Sequence, residues 1–152
     1  MPSELRIPQT YAEWMPLIEI LKNKADDDNV LIVMKKGTLV WQSGIAERFS
    51  KKLIDAVNFR MNAATDRFQK EMLRSHGEER AIVRALLALR KELGFLSEAV
   101  ALPVIPEKDR EQYRRLVIDQ ASSIQRSLED SAKSDRTGKL SSIIRRNRVD
   151  SI

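Results

Sequence analysis

Few side chains in this sequence combine the type and the spacing that a catalytic site requires. His76 is the single histidine, and it stands beside Gly77 at a predicted junction between two helices. A general base needs a second group that orients it, and no such partner is identifiable in the sequence. A reaction centre would have to join distant acids such as Glu47 and Asp55 to His76. We therefore interpret His76 as a side chain that caps a helix end.

The sequence also lacks the residue patterns of a metal site and of a nucleotide-binding loop. With one histidine and no cysteine, the ligands of a zinc site cannot be assembled. Asp26, Asp27 and Asp28 could attract a divalent cation, but adjacent acids at a helix start usually complement the helix dipole, and we favour that interpretation. The glycines of "KGTLVWQSG" do not have the spacing of a phosphate-binding loop. The sequence predicts no enzyme activity, no metal, no cofactor and no small-molecule substrate.

Basic side chains offer a different chemistry, which is contact with a polyanion. One group falls within about 80° on the longest predicted helix and comprises Arg60, Arg67, Lys70 and Arg74. A second group lies near the end of the chain and comprises Arg136, Lys139, Arg145, Arg146 and Arg148. Such rows could track phosphates. The same pattern is also typical of cations that pair with acids on a neighbouring helix or are solvated.

The net charge of +5 is concentrated at one end of the chain. Residues 133–152 hold six cationic and two acidic side chains, so four of the five net charges lie there. The rest of the chain is nearly neutral. The isoelectric point of about 9.6 therefore overstates the case for a basic DNA-binding domain. A basic tail could contact nucleic acid, an anionic membrane surface or an acidic protein, or serve only solubility.

One stretch, "ELGFLSEAVALP", loosely resembles the turn of a helix-turn-helix motif. Gly94 would turn the chain and Ser97 would cap a recognition helix. The heptad spacing nevertheless runs unbroken from Leu93 to Val100, and the proposed recognition helix carries Glu98 and no basic residue. We therefore predict one continuous helix here.

Helical periodicity organises the whole chain. Thr10 and Glu13 have the spacing of a capping box for a first helix, which Pro16 would delay or kink. "ADDDNVLIVMKKG" predicts a short second helix that ends in a left-handed Gly37. The third helix is predicted from about Ser43 to Ser75, with apolar residues every three or four positions.

The fourth and fifth helices complete the pattern. A second capping box is predicted at Ser75 and Glu78. The fourth helix then carries a heptad seam of Ile82, Leu86, Leu89, Leu93, Leu96 and Val100. A second apolar strip on the same helix comprises Val83, Leu87, Phe95 and Ala99. The last long helix is predicted from about Glu107 to Ala132, with acids in its first turn.

These elements predict an all-α fold, a helical bundle of three long helices with two short N-terminal helices. Residues 1–132 form the predicted bundle domain, and residues 133–152 form a basic C-terminal tail that is flexible or a short amphipathic piece. No stretch is apolar enough to span a membrane, and cysteine is absent, which together predict a cytoplasmic protein.

The function that best fits this inventory is a non-enzymatic helical protein–protein interaction module, a small regulator or adaptor. Because the fourth helix has two apolar strips, we expect a protein partner and self-association into a homo-oligomer. The alternative is a nucleic-acid-binding protein, similar to a transcriptional regulator, that uses the basic row on the long helix and the basic tail.

Overall fold

The computed structural model describes residues 5–39 and 44–152, and within them every regular element is a helix. Six helices follow in chain order: α1 Tyr11–Lys22, α2 Asp27–Lys36, α3 Ile45–Arg74, α4 Glu79–Ala99, α5 Glu107–Ala132 and α6 Lys139–Arg146. The all-α prediction is confirmed. Ser43, where we predicted that the third helix begins, lies outside the described residues.

The predicted capping box of α1 is present. The Glu13 amide donates to Thr10 Oγ1 at 3.3 Å, and the Thr10 amide donates to Glu13 Oε1 at 3.2 Å. A cap of this kind stabilises a helix by about 1 kcal/mol. Pro16 lies inside the helix, which begins at Tyr11 all the same. The expectation of a late start is therefore wrong, because the cap fixes the first turn ahead of the proline.

The chain divides into two compact units. The first contains residues 1–60 and 98–114, including α1, α2 and the first half of α3. Trp14 is fully buried in it and packs edge-on against Phe49, with ring centroids 5.0 Å apart. Its indole Nε1 donates to the Thr38 carbonyl at 2.7 Å, so the only polar atom of this large side chain is satisfied.

Gly37 is needed for close packing and not for a left-handed turn. Its φ is −71°, so the predicted left-handed cap of α2 is wrong. A Cβ at this position would lie 2.5 Å from Trp14 Cζ2 and 2.8 Å from Pro8 Cγ. The missing side chain therefore lets the backbone after α2 lie directly against the tryptophan ring.

The second unit contains residues 61–97 and 115–152. Its share of the α4 seam, from Ile82 to Leu96, is no more than 4% exposed at every position. The second α4 strip is covered less completely, and Leu87 is 36% exposed. The helix continues without a break through Gly94 and Ser97. The prediction of one continuous helix is confirmed, and a helix-turn-helix turn at Gly94 is excluded.

The junction of α3 and α4 differs from the predicted second capping box. Ser75 Oγ donates to the Met72 carbonyl at 2.6 Å and accepts from the Gly77 amide at 3.4 Å. The hydroxyl thus ends α3, whereas α4 begins only at Glu79. His76 and Gly77 both have left-handed backbone, with φ of 49° and 79°, in the short connection between α3 and α4.

Two glycine substitutions test the packing at Gly37. Gly37→Ala should lower the free energy of unfolding by about 2 kcal/mol, because the new Cβ overlaps the buried Trp14 ring. Gly94→Ala is the matched control, since its Cβ would meet only Ile152 Cγ2 at 3.9 Å. In the helix interior that change should raise stability by up to about 1 kcal/mol. Urea unfolding followed by circular dichroism measures both, and equal midpoints for the two variants would contradict the assignment.

Candidate functional site

His76 and Ser50 lie in different environments. His76 is exposed at the α3–α4 turn, and its imidazole has no hydrogen-bond partner among the described residues. The predicted capping role of its side chain is therefore not seen, and the left-handed backbone is what the position contributes. Ser50 Oγ donates to Asp109 at 3.3 Å, but Ser50 is 3% exposed, so its hydroxyl is shielded from solvent.

Two of the three acids at the start of α2 have partners within the chain. Asp26 accepts from Asn29 Nδ2 at 3.0 Å, and Asp27 pairs with Arg60. Within residues 5–39 and 44–152, no group of three or more His, Cys, Asp or Glu side chains is arranged to hold a metal ion.

Arg60 is not part of an exposed basic row. It is 3% exposed, and its guanidinium makes a two-pronged ion pair with the Asp27 carboxylate at the start of α2. It also donates to the Leu21 carbonyl in the last turn of α1 at 3.0 Å. Helical spacing alone could not reveal this, because both partners lie more than thirty residues away. Arg60 joins three helices, and we withdraw it as a candidate for polyanion contact.

The other members of that row remain on the surface. Arg67, Lys70 and Arg74 are exposed, and none of them forms an ion pair with a residue that the structure describes. They stay a candidate surface for anions.

The predicted basic tail contains a docked helix. Ile143 and Ile144 on α6 are 3% and 1% exposed, and Val149 beyond it is fully buried. Arg148 pairs with Asp150 at 2.9 Å and with Glu129 at 3.6 Å. These contacts make the segment part of the second unit.

The remaining tail cations divide by environment. Arg146 lies 3.7 Å from Glu79 in an exposed pair. Arg136, Lys139 and Arg145 are exposed, and their side chains make no ion pair within the described part of the chain. Pairing of Arg146 and Arg148 leaves three of the five tail candidates open to an anion.

Gln125 holds this segment in place. Its side chain is 1% exposed, its Oε1 accepts from the Val149 amide at 3.0 Å, and its Nε2 donates to the Ile144 carbonyl at 3.4 Å. A buried amide satisfied in this way specifies one position for its partner, because any slip leaves polar groups unpaired. Sequence reasoning missed Gln125, which falls between apolar positions of α5.

Asp135 organises the start of α6. Its carboxylate accepts from the Leu140 amide at 3.0 Å and from the Thr137 amide and hydroxyl at 3.1 and 2.9 Å. The Leu140 bond, followed by those from Thr137, holds the pKa of Asp135 below its usual value. Because the folded pKa is lowered, this stabilisation is present at neutral pH and is lost as the pH falls below the ordinary value near 3.8.

An open groove runs between α3 and α5 in the second unit, and sequence reasoning missed it. We call it the α3–α5 groove. Its floor is apolar and consists of Phe68, Met72, Ile124 and Leu128, and Leu73 also lines it as an exposed side chain. Leu73 is 79% exposed, the highest value among the large apolar side chains that the structure describes. The other apolar lining residues are buried or half-buried, so Leu73 supplies most of the exposed apolar surface of the groove.

The walls of the α3–α5 groove are polar and uncharged. They consist of Thr65 and Gln69 on α3 and of Gln120, Ser123, Ser127 and Ser131 on α5. Because serines four residues apart fall on one line of a helix, the α5 wall is a row of small side chains. Hydroxyl groups therefore lie beside an apolar floor.

Comparisons of the chain with protein-family models, with curated proteins and with solved structures gave no match. Among the helices that the structure describes, none is both long and apolar enough to cross a membrane.

Replacement of Gln125 should release the C-terminal segment. Gln125→Leu keeps the volume but leaves the Val149 amide and the Ile144 carbonyl unpaired, which should cost about 2 kcal/mol. Hydrogen exchange at Val149 and proteolysis between α5 and α6 should both accelerate. Gln112→Leu, an exposed change on the same helix, is the control. Unchanged exchange at Val149 would show that the carboxamide does not hold the segment.

Proposed function

We propose that this protein is a non-enzymatic helical protein–protein interaction module, and that the α3–α5 groove is its docking surface. The observation that carries the proposal is the exposed Leu73 beside a floor of Phe68, Met72 and Leu128. Helix-in-groove recognition uses such a surface: an apolar floor takes the anchors of a partner helix, and a polar rim surrounds it.

The scaffold that we propose is a bundle of the three long helices, with α1 and α2 added at the N-terminal end. The buried α4 seam supports this arrangement, since heptad spacing favours helices that cross at a shallow angle. Sites carried on packed helices are held more rigidly than sites on loops. A bundle is therefore a suitable support for a docking surface.

Selection of helical peptides tests the docking surface without a known partner. A library of amphipathic helices with random flanking residues should yield binders that lose affinity for Ser127→Trp, which fills the groove from an exposed position. Leu73→Asp is a second blocking variant, and circular dichroism checks that both fold. Lys91→Ala, an exposed change on α4, should leave binding intact. A selection in which every binder tolerates both blocking variants would refute the proposal.

Self-association is the second part of the proposed function. The incompletely covered α4 strip, where Leu87 is 36% exposed, supports it. Light scattering at micromolar concentration should report a mass above 17.5 kDa, and Leu87→Asp should lower that mass toward the single chain. A single 17.5 kDa species at every concentration would refute self-association.

Nucleic-acid binding is the other candidate function. The side chains of Arg67, Lys70 and Arg74 favour it, because they are exposed and form no ion pair within the described residues. Affinity for a duplex or single-stranded probe should fall steeply with salt, because phosphate contacts release counterions. Replacing these three residues by Gln is a more specific test than deleting residues 133–152, because the deletion also removes Val149 and its hydrogen bond to Gln125. The absence of any mobility shift with the intact protein at low salt would exclude this function.

A further inference from the structure

We infer that a row of cations on α4, formed by Arg80, Arg84 and Lys91, contacts the phosphate backbone of a nucleic-acid duplex. We call it the α4 row. This inference rests on nucleic-acid binding, the other candidate function, and it adds a second set of contact residues and the class of nucleic acid. A duplex on this face would exclude self-association through Leu87, so the two are alternatives.

The α4 row is exposed and carries one sign of charge. At 100° per residue, Arg80, Arg84 and Lys91 fall within about 40° of one another. All three are exposed, and none forms an ion pair with a residue that the structure describes. The other exposed residues on this face of the helix, within the second unit, are Leu87 and Ala88.

The acids of α4 lie away from the α4 row. Glu79 and Glu92 are each at least about 80° around the helix from all three cations. Glu79 pairs with an arginine of α6 at 3.7 Å, and Glu92 is only 7% exposed. Glu98 stands about two turns after Lys91, in the first unit, where it pairs with a lysine of α2. Within the second unit, the potential over the α4 row is therefore set by its cations.

The cations of α3 are less well separated from acids. Arg67, Lys70 and Arg74 fall within about 60° of one another. Asp66, which is exposed, and Glu71, which is half-buried, flank them at about 40° on either side. For this reason we assign the larger share of phosphate contact to the α4 row, which helical projection of α3 could not reveal.

Both sets of cations lie on the same side of the α3–α4 pair. The two helices are joined by residues 75–78 alone, and such a short connection makes them antiparallel neighbours in the bundle that we propose. Thr65, on the α5 side of α3, lies at least about 140° around the helix from each α3 cation. Ile82, which lines a cavity with residues of α6, lies at least about 160° from each member of the α4 row. Because α6 is bonded to Gln125 of α5, α5 and α6 cover one side of the pair and the cations occupy the other.

The dimensions of this face match a duplex backbone. At 1.5 Å per residue, the α4 row extends over about 16 Å and the α3 cations over about 10 Å. Packed helices lie about 8–10 Å apart. A DNA duplex carries one charge per about 1.7 Å of its axis, so about nine phosphates lie along the length of the α4 row. The six cations can therefore each meet a phosphate.

The side chains on this face favour a duplex over other polyanions. Four of the six cations are arginines, whose guanidinium groups bind phosphate oxygens in pairs. A single strand is held by stacking on exposed aromatic rings, but Phe95, the one aromatic residue of α4, is half-buried. Leu87 is the one large apolar side chain exposed on the α4 face, which is too little to insert into an anionic membrane.

A salt series on the full-length protein tests the inference. Fluorescence anisotropy compares a DNA duplex, an RNA duplex and a single strand of the same sequence. At least one duplex should bind more tightly than the single strand. The logarithm of its affinity should fall with the logarithm of the salt concentration with a slope of about −5, as expected for six phosphate contacts.

Removal of the α4 row gives the sharper measurement. The triple variant Arg80→Gln, Arg84→Gln, Lys91→Gln should weaken duplex binding at least about tenfold at low salt and reduce the steepness of the slope by about 3. The control triple Arg48→Gln, Lys52→Gln, Arg114→Gln removes two arginines and one lysine that are exposed in the first unit, and it should have little effect. Circular dichroism checks that both variants fold.

The outcomes separate the inference from the candidate function. If replacing Arg67, Lys70 and Arg74 abolishes binding while the α4 triple binds like the intact protein, nucleic-acid binding stands and the inference is wrong. Equal losses in the α4 triple and the control triple, or a single strand that binds as tightly as the duplexes, would also overturn it. If the intact protein binds anionic vesicles through the α4 row but no duplex, the ligand is a membrane surface. If no probe binds at low salt, both the inference and the candidate function fail.

Discussion

The buried carboxamide of Gln125 accepts a hydrogen bond from the Val149 amide and thereby keeps the C-terminal segment against one side of α5. The side that carries Ser123 and Ser127 stays uncovered as a result. The α3–α5 groove depends on this division, because it would be covered if α6 packed on the face of α5 that carries Ser123 and Ser127. One satisfied polar group in an apolar setting thus helps to fix which face of α5 stays uncovered.

The distribution of positive charge follows a similar division. Arg60 is buried and donates hydrogen bonds to Asp27 and to the Leu21 carbonyl. Arg148 forms an ion pair with Asp150. The partners of Arg60 lie more than thirty residues away, where a helical projection does not show them, whereas Arg148 stays exposed in its pair. The net charge of +5 is therefore a poor guide to function here.

Much of the fold is predictable from the sequence, because its signals are local. The Thr10 cap and the α4 seam depend on neighbours three or four residues away. Contacts over longer separations escaped prediction. Gly37 is an example: a glycine is required there because the Trp14 ring leaves no space for a side chain, and this contact is not visible in the local sequence. The groove could not be predicted for the same reason. Periodicity places Leu128 among the apolar positions of α5, but only the fold shows that nothing in the second unit covers it fully.

The row of hydroxyl side chains on α5 has a consequence for selectivity. Serines form low ridges, so they do not lock an incoming helix into one register, and Met72 on the floor adapts to anchors of different shape. Steric fit alone would then discriminate little between helices of similar hydrophobicity. In the docking function that we propose, recognition at such a surface would tolerate several unrelated helices in turn.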